Sequence, residues 1–318
     1  MSPRPVTNAR RPARLAVPLL FSLALLSCVT TESRRTGLPE AEHEDEADEP
    51  SRPESAGSDE AIPKEEAPDE YKFKTENELF VRLDAALKAH REMLDDPVKA
   101  AKLEELVEGI TRTNLSTILT QVADGSERNR TIAAAALGYS SDPVVRPALV
   151  KALSDLAPAV VSNALRSLAR VGEPGDGLDA AIGFLRHADP AIRSNAALAL
   201  GTVTEKGPAA SSTEPLIIAL QDEDPVTRAN AAFALGEIGD TDAVGHLAQA
   251  LSDDMPRVRA LAAQSLGKLA HPGATRALVG RLGDPNSLVR DRARKALIAI
   301  TGRDLGPDPK DWVNELRP

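Results

Sequence analysis

Residues 222–240 read DEDPVTRANAAFALGEIGD: an acidic turn, a proline, and an alanine-rich segment that ends in Leu-Gly and a further turn. Near copies recur as RTIAAAALGYS, RSNAALALGTV and RALAAQSLGKL. Aligned on the residue that leads each copy, here called the leader, the spacings are 31, 32, 35, 31 and 31 residues. The six leaders are Arg130, Val161, Arg193, Arg228, Arg259 and Arg290. The chain therefore contains six repeats.

The register of the repeats predicts their secondary structure. The residue three places after each leader is alanine, the residue seven places after it is leucine, and the residue six places after it is Ala or Ser. These offsets lie on one side of an α-helix and form a narrow buried stripe. An earlier apolar helix, such as DAVGHLAQAL, precedes each stripe. Repeats of this length bury their faces by stacking, so the sequence predicts an all-α, right-handed α-solenoid of about six helical hairpins.

Composition agrees with thin, closely packed helices and argues against nucleic acid as a partner. Aromatic residues are 3% of the chain, which suits alanine- and leucine-rich helices better than a sheet. The net charge of -10 is concentrated near the amino end, and the rest of the chain is nearly neutral. No basic footprint for nucleic acid is visible, so we expect no nucleic-acid partner.

The first 27 residues have the features of an export signal. Four arginines precede the apolar run LAVPLLFSLALLS, whose thirteen residues are too few to span a bilayer. The run ends in LLSC, which resembles the bacterial lipobox, with Leu25, Ser27 and then Cys28. The resemblance implies that Cys28 carries diacylglycerol and becomes the acylated amino terminus, with palmitate as a typical acyl group. An ordinary signal peptide or short anchor with a chance cysteine is the alternative. Cys28 is also the only cysteine, which excludes an internal disulfide.

The following segment is predicted to be a disordered acidic tether, residues 28–70. Residues 29–70 carry fifteen acidic and four basic side chains and few apolar ones. Such a composition does not bury enough apolar surface to offset the entropy of ordering. We expect a spacer that holds the folded part away from a membrane.

Helical order is predicted from about residue 75. Thr75 and Glu78 form a capping-box pattern, and Asp96 before Pro97 starts a second helix. We therefore predict an N-terminal helical hairpin cap at residues 71–114, the repeat solenoid at 115–302 and a C-terminal cap at 303–318. Trp312, the only tryptophan, is expected to fold a final helix over the last repeat, with ligand stacking as the alternative.

The pattern D-x-D-P-x-x-R-x-x-A-A-x-A-L-G-x-I-G-D resembles HEAT repeats of the phycobilisome-lyase type. The resemblance covers about residues 115–302 and concerns architecture more than activity. It implies that the leading arginines pair with turn carboxylates or carbonyls and form a structural ladder. The members of this expected ladder are Arg130, Arg193, Arg228, Arg259 and Arg290. A row of anion-binding arginines is the alternative. Val161 and Ala157 depart from the pattern, so the second repeat is expected to leave a gap.

The sequence offers little evidence for catalysis. The histidines His90, His187, His246 and His271 are scattered, and the repeats carry no recurring His-Glu pair of the kind that binds iron in deoxyhypusine hydroxylase, which is built of similar repeats. No Walker, GxSxG or paired-cysteine motif occurs. We therefore expect no metal, no cofactor and no catalytic residues.

A partner-binding face is predicted from the helix positions opposite the buried stripe. In HEAT-like stacks the second helices line the concave side, and positions five and nine after each leader point outward there. Leu198 and Phe233 are expected to be exposed at the centre of this face. The candidate residues around them are Arg166, Arg170, Gln264, Lys268 and Lys295. Such a face suits an acidic or amphipathic segment. The alternative is that Phe233 only fills a groove between neighbouring helices.

These observations predict a membrane-tethered, extracytoplasmic scaffold that binds a protein or peptide. We expect a monomer, lipid-anchored in a bacterial cell envelope and facing the periplasm or the exterior. The alternative is an enzyme or enzyme subunit of lyase-like or metal-dependent type on the same fold.

Overall fold

The computed structural model describes residues 71–208 and 210–315, and in these ranges it is all-α without strands. The predicted signal (1–27) and acidic tether (28–70) lie outside the described residues. Two long helices come first, α1 (Glu76–Glu92) and α2 (Pro97–Thr113). Six hairpins follow: α3 (Leu115–Asp124) with α4 (Glu127–Leu137), α5 (Val145–Ala152) with α6 (Pro158–Val171), α7 (Leu178–Phe184) with α8 (Pro190–Val203), α9 (Thr213–Ala219) with α10 (Pro225–Ile238), α11 (Val244–Ala250) with α12 (Pro256–Leu269), and α13 (Thr275–Arg281) with α14 (Ser287–Thr301). The last helix is α15 (Pro309–Glu315).

The hairpins stack in two layers. Each second helix packs against the second helix of the next hairpin, which gives one continuous layer from α4 to α14. Each first helix packs mainly against the second helix of its own hairpin and makes fewer contacts with its neighbours. This arrangement is an α-solenoid and confirms the predicted fold class.

The sequence marks where the second helices begin and end. Asp189 and Asp224 cap α8 and α10 through side-chain bonds to the backbone N–H groups of Ala191 and Thr227. The proline that follows each cap occupies the first helical turn, where no helical partner is available for a backbone N–H. Gly239 ends α10 with a φ of 82°, a left-handed conformation that costs glycine little.

The buried stripe holds the two layers together. The alanines three places and the leucines seven places after the leaders are all at most 1% exposed. They are Ala133, Ala164, Ala196, Ala231, Ala262 and Ala293, with Leu137, Leu168, Leu200, Leu235, Leu266 and Leu297. The six-repeat register read from the sequence is therefore the register of the core.

The Leu-Gly pair allows neighbouring second helices to approach closely. A Cβ added at Gly236 would lie 2.6 Å from the Ser265 Cβ and 2.8 Å from its Cα, and one added at Gly267 would lie 2.9 Å from the Ala296 Cα. Only a residue without a side chain fits such spacing unless the helices move apart. The equivalent residue is Ala169 in the second hairpin and Ile298 in the sixth, and no further hairpin follows the sixth among the described residues.

Asparagine side chains make a second set of links between successive second helices. Asn163 donates to the Thr131 carbonyl oxygen at 3.0 Å, and Asn230 donates to the Ser194 carbonyl oxygen at 2.8 Å. Asn195 donates to the Ser162 hydroxyl oxygen at 2.8 Å. All three asparagines stand two places after a leader, so each bond joins a repeat to the repeat before it.

Both ends of the stack are covered. At the amino end, α1 and α2 pack against each other and against α4. At the carboxyl end, α15 packs against α13, and Trp312 is 0% exposed with its Nε1 donating to the Gly306 carbonyl oxygen at 2.8 Å. Apolar faces that would otherwise end in solvent are thereby shielded.

Candidate partner-binding face

The second-helix face is defined here as the surface that carries the positions five and nine places after each leader. At its centre, Leu198 on α8 and Phe233 on α10 are half-buried and pack against the core. The sequence predicts exposed side chains here, with a groove between neighbouring helices as the alternative for Phe233. They are partly covered because the close spacing of second helices places each one beside the neighbouring helix. Gln264, on α12, is half-buried in the same way.

Two of the predicted cations are engaged within the molecule. Lys268 forms an ion pair with Glu237, and its Nζ lies 5.1 Å from the centroid of the Phe233 ring. Arg170 forms an ion pair with Glu104 of α2 and donates to the Gly138 carbonyl oxygen at 3.1 Å. A basic rim was expected, but these two charges are largely balanced by carboxylates on the same surface.

The remaining predicted cations are more accessible. Lys295 on α14 is 65% exposed and pairs with Asp291 one turn earlier at 2.9 Å. Arg166 on α6 is exposed and has no ion-pair partner among the described residues. Arg166 and Arg170 lie together at the amino end of the face, whereas Phe233 and Lys268 lie nearer the middle of the stack.

A cluster at the amino end was missed by the sequence reasoning. Tyr139 stands nine places after Arg130, and the Arg170 guanidinium lies 4.3 Å from the centroid of its ring. The Tyr139 hydroxyl is 3.3 Å from Nδ1 of the buried His90, and the two rings meet edge to face. Burial lowers the pKa of His90 and raises the pKa of Tyr139, which favours the neutral form of each group. The sequence does contain a signal for this contact. Tyr139 and Arg170 both stand nine places after a leader, so they occupy equivalent positions on neighbouring second helices.

The leading arginines form a ladder on the turns between hairpin helices. Arg228 holds Asp253 with two bonds, Nε to Oδ2 at 2.8 Å and NH2 to Oδ1 at 3.0 Å, and its NH1 donates to the Asp222 carbonyl oxygen at 2.9 Å. Each rung thus joins the turn of one repeat to the turn of the next. The same two-bond pairing occurs for Arg130 with Asp155, Arg193 with Asp222 and Arg259 with Asp284.

The planar guanidinium explains the choice of arginine for these rungs. It offers several donors in a fixed fork and stays charged, so one side chain satisfies a carboxylate and a turn carbonyl together. The hydrogen bond with Asp284 raises the pKa of Arg259, and the same bond holds the pKa of Asp284 below its usual range. These side chains are occupied by the protein itself, which favours an architectural role over a row of free anion sites.

One rung is missing, and both of its members are replaced. Val161 stands where the arginine would be, and His187 stands where the next turn would supply an aspartate. His187 Nδ1 still accepts a hydrogen bond from the Asp189 backbone N–H at 3.0 Å. The ladder aspartates Asp155 and Asp222 accept the same kind of bond from the backbone N–H two residues later. The turn is therefore kept while the charge pair is lost. At the other end, Arg290 donates to the carbonyl oxygens of Asp284 and Pro285 and has no carboxylate partner among the described residues.

The described part of the chain offers no candidate for a metal site or for a membrane-spanning helix. No group of three or more His, Cys, Asp or Glu side chains there is arranged to hold a metal ion. None of the helices in residues 71–208 and 210–315 is both long and apolar enough to cross a membrane. Cys28, the predicted lipidation site, lies outside these residues.

The stacked hairpins define the chain as a helical-repeat solenoid. Comparison with known protein families agrees with this class. The family of HEAT repeats matches residues 115–177 and 213–298. The chain is a HEAT-repeat protein. No curated protein matches it.

Three solved structures are among those similar to this chain. A crystal structure of an engineered protein shares 22% identity over 59% of this chain and 97% of that chain, with a TM-score of 0.49. A designed armadillo repeat protein shares 20% identity over 59% of this chain and 100% of its own, with a TM-score of 0.46. An archaeal HEAT-like repeats protein from Thermococcus onnurineus NA1 shares 17% identity over 73% of this chain and 98% of its own, with a TM-score of 0.44.

Proposed function

We propose that this HEAT-repeat protein is a membrane-tethered, extracytoplasmic scaffold whose second-helix face binds a protein or peptide. The observation that carries the proposal is the pair Leu198 and Phe233, two large apolar side chains left half-exposed on neighbouring second helices. A solenoid offers an extended surface rather than an enclosed pocket, and apolar anchors within a polar surround commonly dominate the energy of such contacts.

The charges around the anchors favour an amphipathic partner. Lys268 and Arg170 already have carboxylate partners, so an acidic residue of the partner must compete with Glu237 or Glu104. Arg166 and Lys295 are more accessible and can add contacts at the two ends of the face. Apolar contact with Phe233 and Leu198 would then supply affinity, and the outer cations would set orientation and the rate of association.

The test is recovery of partners from intact cell envelopes by crosslinking and pull-down. Phe233→Ala is expected to abolish recovery while costing about 1–2 kcal/mol of stability, since only part of the ring is buried. Ile218→Ala is the matched control, because Ile218 is 55% exposed on α9, in the first-helix layer. Equal recovery with Phe233→Ala and the unmodified chain would refute the proposed face. Loss of recovery with both variants would also refute it.

Membrane tethering is a separate part of the proposal and is supported by the sequence from Arg4 to Cys28. The Cys28→Ser variant is expected to remain uncleaved by lipoprotein signal peptidase, to take up no acyl label and to leave the lipid-anchored fraction. Identical lipid labelling of the variant and the unmodified chain would contradict lipidation at Cys28.

A further inference from the structure

Positive charge gathers beside the amino end of the second-helix face, where one described carboxylate faces three arginines. Three arginines lie around Tyr139 and are called here the arginine cluster: Arg91 on α1, with Arg166 and Arg170 on α6. Glu104 is the carboxylate of this group, and Arg170 already holds it. Arg91 and Arg166 are exposed and have no ion-pair partner among the described residues.

The two unpaired arginines also act on each other. Burial of part of the Arg166 side chain and then the nearby charge of Arg91 lower the pKa of the Arg166 guanidinium. Their neighbours place them on the same patch of surface, because Arg91 directly follows His90, whose ring meets the Tyr139 ring, and Arg166 stands one turn before Arg170, which lies over that ring. An anionic group at this patch would relieve the repulsion between the arginines and would find the Tyr139 hydroxyl beside it.

A matching anionic segment belongs to the same chain. Residues 59–70 read DEAIPKEEAPDE and contain three acidic pairs against one lysine, Lys64. The pairs are Asp59–Glu60, Glu65–Glu66 and Asp69–Glu70. We propose that residues 59–70 dock in cis on the arginine cluster.

The attachment point and the length of the segment fit this occupant. Tyr71 is fixed beside the start of α1, because its ring lies against Gly109 and its carbonyl oxygen accepts a bond from the Asn114 side chain at 2.9 Å. From there to Arg91 the chain must run back along α1 for about 22 Å, at a rise of about 1.5 Å per helical residue. An extended strand covers about 3.3 Å per residue, so Glu65 and Glu66 come level with Arg91. Asp59 and Glu60 can then reach Arg166.

The strength of the docking follows from the short connection. Individual exposed ion pairs are weak, and salt screens them strongly. A covalent link of a few residues holds the acidic pairs at an effective concentration in the millimolar range. We therefore expect a docked state that is populated at low ionic strength and lost at high ionic strength.

Paramagnetic relaxation enhancement in the full, unlipidated chain tests the inference. The substitutions Cys28→Ser and Ala67→Cys leave one thiol for a nitroxide label and keep every acidic residue of the segment. The label is expected to remove most of the amide signal intensity of Arg91 and Arg166 at low salt but to spare Lys295. Reduction of the label gives the reference intensities. At about 1 M salt, where the screening length is about 3 Å, the effect should disappear.

A matched pair of charge variants identifies the docking site. Arg91→Gln with Arg166→Gln should abolish the broadening, whereas Arg276→Gln with Lys295→Gln removes the same charge from exposed positions at the other end and should leave it intact. Broadening that is absent, or that survives the first pair, overturns the inference. Broadening that appears only between a labelled and an unlabelled molecule overturns the cis assignment in favour of a second copy. No binding partner enters this measurement, so its failure would leave the proposed scaffold function standing.

Discussion

Replacing Gly236 with alanine is expected to force two neighbouring second helices apart. The added Cβ would lie 2.6 Å from the Ser265 Cβ and 2.8 Å from the Ser265 Cα, and the Ser265 hydroxyl would be closer still. These atoms belong to the backbone and first side-chain carbon of α12, so no rotamer change relieves the contact. Overpacking of this kind costs about 1–3 kcal/mol, which outweighs the gain of about 0.5–1 kcal/mol from removing a helical glycine.

The assay is guanidinium-induced unfolding, with Gly280→Ala as the matched control. Gly280 lies on α13 with no atom within 4 Å of an added Cβ, so this variant should be more stable by about 0.5–1 kcal/mol. The same glycine-to-alanine substitution is thus expected to lower the free energy of unfolding at Gly236 and to raise it at Gly280. The double variant Gly236→Ala with Ser265→Gly should lose less stability than the sum of the two single changes. A Gly236→Ala protein as stable as the unmodified chain would refute the close-approach reasoning.

Leu235→Asp places a carboxylate at a 0% exposed position and should cost about 3–5 kcal/mol, measured by thermal unfolding; an unchanged melting temperature would mean that the register is wrong. The hydrogen bond from Arg259 depresses the pKa of Asp284, so its stabilising contribution is present above the unfolded pKa of about 3.9 and is lost as pH falls through the folded value. Unfolding at a series of pH values should show this decline, and Asp284→Asn should reduce its slope. Val161→Arg with His187→Asp should restore the missing rung, with a favourable coupling of about 0.5–3 kcal/mol in a double-mutant cycle; zero coupling would count against the ladder geometry.

The sequence was sufficient to predict the repeat architecture. The alanine three places and the leucine seven places after each leader identify one helix face in every copy. A proline marks the first turn of four of the six second helices, at Pro158, Pro190, Pro225 and Pro256. These signals are local, so they do not depend on how the hairpins stack. For this reason the buried stripe could be assigned residue by residue.

The electrostatics of the second-helix face could not be predicted in the same way. Lys268 pairs with Glu237, which is 31 residues away in the sequence, and Arg170 pairs with Glu104, which is 66 residues away. Whether two such side chains meet depends on the distance and offset between stacked helices, which a single repeat does not reveal. The half-burial of Phe233 has the same origin, because the glycine-mediated spacing of second helices decides how much of the ring is covered.

Site-specific photocrosslinking in intact cell envelopes tests the central claim most directly. A benzophenone amino acid is placed at Gln264 on the second-helix face and, in a separate protein, at Ile218 on the exposed surface of α9. The proposed scaffold function predicts a discrete crosslinked product from position 264 that is lost when Phe233→Ala is added, and none from position 218. A product from position 218 alone, or from neither position, would contradict the assignment of the second-helix face as the partner-binding surface.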